Sequence, residues 1–267
     1  MGIFQGQYYS HALSRQVPFT VILPADHSSG YQVPVGGFPT IYLLHGFMGC
    51  QTDWLYYSTL PLLAREKDIA VVMPAGENSF YFDLGYEGAN YNQFVGKELV
   101  DYTRMIFPLA QSRRDTAIGG LSMGGFGAVH VGLSHNNTFG AIISLSSAFI
   151  TDMISDRNPD EFVGMPMPYS SYRAIFGDLK ELKDSDRNPK TLASRLVENG
   201  GRLPALYMAC GTEDFLLEPN REMHTFLEGI GYPHLYLETP GTHDWKFWNE
   251  YIAKALEWMD ITRKPMD

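Results

Sequence analysis

Thr116-Ala117-Ile118-Gly119-Gly120-Leu121-Ser122-Met123-Gly124-Gly125-Phe126-Gly127-Ala128-Val129 decides the reading of this chain. A strand-like run enters the pentapeptide Gly-x-Ser-x-Gly, and a stretch of small residues leaves it. A serine on a sharp, strained turn between a strand and a helix needs glycine neighbours, because a side chain there would collide with the adjoining backbone. Ser122 is therefore the candidate nucleophile. The plainer reading is a serine capping a helix packed closely against a sheet.

Working outward, short β-branched or apolar runs recur at Val17 to Leu23, Thr40 to Leu44, Ile69 to Met73, Ala141 to Leu145, Ala205 to Ala209 and Leu235 to Leu237. Helical periodicity separates them near Asp53 to Arg65, Gly96 to Gln111, Met123 to Ser134, Pro219 to Gly229 and Trp245 to Met259. This alternation specifies an α/β fold, a mostly parallel central sheet with helices on both faces. Too little chain separates the first two runs for a crossover helix, so the first is expected to pair antiparallel at an edge.

The alternation lapses after Ser146. A segment at about 148–203 carries Phe149, Met153, Phe162, Met165-Pro166-Met167-Pro168-Tyr169, Tyr172 and Phe176. A connection this long is usually functional or has its own structure. It reads as a small helical cap over the site, with Phe149, Met153, Met165, Met167 and Tyr169 as substrate-binding candidates. The plainer reading is a peripheral excursion whose methionines and aromatics only fill the core. No Gly/Ser-rich, Pro-rich or charged linker interrupts the chain, so residues 1–267 read as one domain with that insertion.

Thirty acidic against 20 basic side chains give a formal net charge of −10, a field that repels phosphate backbones and anionic lipid headgroups. Nucleic acid and membrane are thus not expected as partners, and self-association into a homo-oligomer is left open. The first residues, Met1-Gly2-Ile3-Phe4-Gln5-Gly6-Gln7-Tyr8, lack a basic n-region and a continuous apolar run, which gives a cytoplasmic expectation. Cys50 and Cys210 lie far apart and have no metal-ligand spacing, so neither a disulfide framework nor a metal site is expected.

Serine at neutral pH is a poor nucleophile without a base. In folds built on such an elbow the partners follow in the order Ser, Asp or Glu, His, which restricts the base to His224, His234 or His243. His224 lies in a helical stretch and His234 starts a strand-like run. His243 instead occupies Thr239-Pro240-Gly241-Thr242-His243-Asp244-Trp245, a loop beyond a strand end, where functional groups gather in α/β sheets. The acid belongs one strand earlier, at Cys210-Gly211-Thr212-Glu213-Asp214, and of the two carboxylates Asp214 is preferred. Asp244, too close to His243 along the chain, is expected to cap the last helix. Two backbone N–H groups must face the charge that develops on a tetrahedral intermediate. Met123, after the nucleophile, supplies one. Phe47, in Leu43-Leu44-His45-Gly46-Phe47-Met48-Gly49, supplies the other, with His45 orienting that loop.

Taken together, Leu43-Leu44-His45-Gly46, the Gly120–Gly125 elbow, Gly211-Thr212-Glu213-Asp214 and Gly241-Thr242-His243-Asp244-Trp245 resemble the esterase D group of α/β-hydrolases, within it the tributyrin and feruloyl esterase branch. Asn78-Ser79-Phe80-Tyr81 and Phe176-Gly177-Asp178-Leu179 extend the similarity. The resemblance implies a cofactor-free serine carboxylesterase acting on small short-chain acyl or hydroxycinnamoyl esters. By motif match it assigns Ser122, Asp214 and His243 to the triad and Phe47 and Met123 to the oxyanion hole. S-formylglutathione hydrolases are relatives, but His-Gly-Phe-Met-Gly here replaces the Ser-Gly-Leu-Thr-Cys of their oxyanion loop, a departure that weighs against a glutathione thioester. Carbohydrate deacetylation and acyl transfer to an alcohol are rival activities on the same fold.

Overall fold

The strands β1 (Gly2–Ser10), β2 (Arg15–Leu23), β3 (Thr40–Leu44), β4 (Ala70–Pro74), β5 (Thr116–Leu121), β6 (Ala141–Leu145), β7 (Ala205–Gly211) and β8 (His234–Thr239) form one sheet, ordered β1-β2-β4-β3-β5-β6-β7-β8. The computed structural model describes residues 1–25, 32–155, 157–162 and 166–263. Pairing is parallel from β4 through β8, whereas β2 runs antiparallel to β4 and to β1. The run expected at the edge is therefore second from it. β1, which no sequence expectation covered, pairs with β2 along its whole length, from Gly2 opposite Leu23 to Ser10 opposite Arg15. Most of its side chains are exposed or half-buried, so it lacks the apolar pattern by which a strand is read.

The helices are α1 (Asp53–Tyr56), α2 (Leu60–Glu66), α3 (Tyr91–Gln93), α4 (Leu99–Ile106), α5 (Met123–Ser134), α6 (Thr151–Ile154), α7 (Tyr169–Phe176), α8 (Pro189–Glu198), α9 (Leu217–Gly229) and α10 (Trp245–Arg263). The single helix expected over 53–65 is two, with Pro61 in the first turn of the second, where its missing N–H costs nothing. α4 stops short of the expected Gln111 because Phe107 precedes Pro108 and takes an extended conformation.

Strand residues alternate between two cores. Ile41, Leu43, Val71, Met73, Ile143 and Tyr207 face α2 and α10, packing on Leu60, Ala64, Tyr251, Ile252 and Leu256. Tyr42, Leu44, Val72, Ile118, Ile142 and Met208 face the opposite layer, which includes Phe94, Leu99, Phe126, Val129 and Leu227. Burial on both faces explains why β3, β4, β5 and β6 read as unbroken apolar runs.

The segment between β6 and β7 contains α6, α7, α8 and two 3₁₀ turns, at Pro159–Phe162 and Leu182–Asp184. It is held to the sheet layer by tilted and edge-on aromatic contacts and by polar clasps. The Phe176 ring lies 4.7 Å from that of Phe80 and 5.3 Å from that of Phe82. Arg187 donates to the carbonyls of Ile175 and Asp83. His130 on α5 donates from Nε2 to the Asp186 carbonyl at 2.8 Å while its Nδ1 accepts from Asn92 at 3.0 Å.

Candidate active site

Ser122 lies between β5 and α5 with φ 54° and ψ −118°, a left-handed conformation that costs a serine about 1–3 kcal/mol and persists only where the surroundings enforce it. Those surroundings are visible. The Ser122 N–H donates to Leu145 (2.9 Å), and its carbonyl accepts from Phe126 (3.0 Å) and Ala148 (3.1 Å), so α5 and the exit of β6 clamp the turn. A Cβ on Gly124 would fall 2.5 Å from the carbonyl oxygens of both Leu44 and His45. The glycine thus lets the elbow press against the end of β3.

The Asp214 carboxylate, its side chain wholly buried at the exit of β7, meets the His243 ring 29 residues later: Nδ1 is 2.9 Å from Oδ2 and 3.1 Å from Oδ1. An ionised carboxylate can only accept, so Nδ1 carries the proton and Nε2 presents its lone pair. Ser122 Oγ lies 3.0 Å from that nitrogen, donating to it. Burial pushes the Asp214 carboxyl up, but the hydrogen bonds from His243 and from the Leu216 N–H, the latter 2.8 Å, outweigh it and hold the group below its usual range. The structure therefore brings Ser122, His243 and Asp214 into one hydrogen-bonded chain. The other two histidines weighed for the base engage each other instead, His224 Nδ1 lying 2.7 Å from His234 Nε2.

Glu213 points elsewhere, its Oε2 accepting from the Gly241 N–H at 2.6 Å. Asp244 accepts from the Phe247 N–H at 2.9 Å in the first turn of α10, the capping role expected of it.

Facing the serine, the loop after β3 is braced from the loop after β4. His45, buried and with its imidazole pushed down by that burial, donates from Nδ1 to the Gly46 carbonyl (2.7 Å) and accepts at Nε2 from the Gly76 N–H (2.8 Å). Tyr81 donates to the His45 carbonyl at 2.9 Å, and the Met48 N–H donates to Asn78 Oδ1 at 2.7 Å. These contacts consume the neighbours of Phe47 and leave its own N–H, like that of Met123 at the start of α5, without an acceptor among the described residues. Sequence patterns give Asn78 and Tyr81 no such bracing role.

The remaining candidates are dispersed. Phe149, buried, lies beside the Ala148 amide bound to Ser122 and packs at a tilt on Phe126. Met167 is buried in the main core, Tyr169 packs on Phe162, and Met153 is exposed. Met165 lies outside the described residues. Phe215 was missed altogether. Its exposed ring packs 4.6 Å from the His243 ring, and an aromatic placed directly after the acid at a strand exit was the signal to be found. No cluster of three or more His, Cys, Asp or Glu able to hold a metal ion occurs among the described residues, and no helix there is long and apolar enough to cross a membrane.

Comparison with known proteins decides the family, since the Esterase family model matches residues 10–259. The chain belongs to the Esterase family. It is similar to the acetyl esterase of Caldicellulosiruptor saccharolyticus, with 42% identity over 97% of this chain and 98% of the relative. Among solved structures it is similar to the fluorophosphonate-binding serine hydrolase FphF of Staphylococcus aureus, 29% identical with a TM-score of 0.83, covering 97% of this chain and 98% of that one. The S-formylglutathione hydrolase FrmB of the same organism has the same identity and coverage and a TM-score of 0.82. As an Esterase family member the chain is a carboxylester hydrolase with the α/β-hydrolase fold.

Proposed function

We propose that this esterase hydrolyses small short-chain acyl esters through Ser122, His243 and Asp214. The observation that carries the reading is the unbroken chain from Ser122 Oγ through His243 to the buried Asp214. The N–H groups of Phe47, in the loop beside the elbow, and of Met123, at the start of α5, have no acceptor among the described residues, which supports their assignment to the oxyanion hole. Ser122 Oγ attacks the ester carbonyl as its proton passes to His243 Nε2, and the Phe47 and Met123 amides stabilise the resulting oxyanion. The imidazolium, steadied by Asp214, protonates the alcohol as the carbon–oxygen bond breaks and leaves an acyl-serine. Water, deprotonated by the same nitrogen, releases the acid and restores the serine.

The acetyl esterase similarity supports the short end of the acyl range. A hydroxycinnamoyl preference is the second reading, favoured by the aromatic run beside the oxyanion loop. The half-buried Phe47 ring packs 6.5 Å from that of Phe80, which lies buried 4.7 Å from that of Phe176, so Phe47 is the member of this run with surface left for a flat acyl group. Aryl esters from acetyl to octanoyl, run beside methyl ferulate and methyl p-coumarate, separate the two. Highest kcat/KM at acetyl to butyryl supports the first reading, and a maximum at the cinnamates replaces it with the second.

A further inference from the structure

The His243 imidazole is flanked by two aromatic rings of opposite character. Trp248 meets it edge-on at 4.9 Å and is 7% exposed, belonging to the core under α10. Phe215 packs 4.6 Å away at an interplanar angle of 50° and is 75% exposed. Its outward position is imposed locally. The Asp214 carboxylate accepts from the Leu216 N–H at 2.8 Å and the Asp214 carbonyl from the Leu217 N–H at 3.0 Å, so the chain turns tightly around Asp214 and carries the intervening side chain to the surface. An apolar ring left this exposed beside the candidate base contributes little to the core.

Which half of an ester would meet that ring follows from proton transfer. The alcohol oxygen receives its proton from His243 Nε2 as the carbon–oxygen bond breaks, so the alcohol half lies beside the imidazole, whereas the carbonyl oxygen points at the Phe47 and Met123 amides. Of the two rings on His243, only Phe215 has free surface to offer. Resting on the hydrolase reading above, we infer that Phe215 is a specificity-determining residue for the alcohol half of the ester, a platform for leaving groups with a flat or C–H-rich face.

The assignment has a kinetic signature. Once the alcohol has left, the acyl-serine no longer touches the platform, so hydrolysis of the acyl-enzyme is indifferent to Phe215. An incoming alcohol occupies the same place as a departing one, by microscopic reversibility. Phe215 therefore also favours capture of the acyl group by alcohols of that shape over capture by water, with ester formed and the alcohol proton passed to His243.

The test compares Phe215→Ala and Phe215→Tyr with the wild type on benzyl acetate and ethyl acetate, which share one acetyl-enzyme. Phe215→Ala should lower kcat/KM for benzyl acetate about five- to tenfold, the worth of one aromatic contact, and for ethyl acetate less than twofold. Acetyl-enzyme hydrolysis in single turnover should be unchanged, and the ratio of benzyl acetate to acetate formed in the presence of benzyl alcohol should fall by the same five- to tenfold. Phe215→Tyr should restore both the benzyl acetate kcat/KM and the product ratio. Equal losses on both esters, or slowed acetyl-enzyme hydrolysis, would show that the ring merely supports His243 and would overturn the assignment while Ser122 still takes the acyl group. Absence of any acetyl-Ser122 in the wild type would overturn the hydrolase reading with it.

Discussion

Glu213 and Gly241 clasp each other twice: the Glu213 carboxylate accepts from the Gly241 N–H at 2.6 Å, and the Glu213 N–H donates to the Gly241 carbonyl at 3.0 Å. The clasp joins the loop carrying Asp214 to the loop carrying His243, so the two carboxylates have separate tasks. Asp214→Asn should lower kcat on the order of 10³- to 10⁴-fold by imposing the wrong ring tautomer. Glu213→Gln, which can still accept from Gly241, should lose less than about threefold. Steady-state kinetics on an aryl acetate checks both, and the reverse ranking would reassign the acid.

The loop after β3 that carries Phe47 is held from outside by Tyr81 and Asn78. Asn78→Ala frees the Met48 amide and should loosen the Phe47 N–H beside it, lowering kcat about tenfold with KM changed less than twofold, since the interaction lost acts mainly in the transition state. Equal changes in kcat and KM would show that the brace shapes substrate binding instead.

Burial pushes the His130 imidazole down to about 4, against about 6.5 in an unfolded chain. Between those values the unfolded state binds more protons. Stability from this group is therefore fully present above about pH 6.5 and declines as pH falls toward 4. His135, linked to His130 through Asn92 and also pushed down by burial, acts in the same direction. Denaturant unfolding at pH 7 and pH 5 should show a loss of about 2 kcal/mol in the wild type that shrinks in His130→Gln. An unchanged difference would place the acid sensitivity elsewhere.

The elbow glycines tolerate no side chain. Gly124→Ala forces a methyl group onto the Leu44 and His45 carbonyls and should abolish turnover, lowering Tm as well. Gly229→Ala, at the end of α9 with nothing within 4 Å of the added methyl, should leave activity unchanged and Tm equal or higher. Activity and melting curves of the two variants provide the check.

Sequence patterns revealed what depends on local chemistry. The buried parallel strands are continuous apolar runs, and Ser122, Asp214 and His243 each stand at a strand exit, so their convergence followed from topology. Features that depend on distant pairing were not legible. β1 is recognisable only beside β2, and the Asn78–Met48 bond spans 30 residues between two irregular loops with no periodicity to mark it. For Phe215 the sequence offers only its position directly after the acid, since its exposure depends on the turn around Asp214, which no composition rule describes.

Reaction of Ser122 with a fluorophosphonate tests the central claim most directly. The wild type should be labelled stoichiometrically on Ser122, and Ser122→Ala, folded with an unchanged circular dichroism spectrum, should take no label and lose kcat on the order of 10³-fold or more. Labelling retained in Ser122→Ala, or near-normal turnover by the folded variant, would contradict the account.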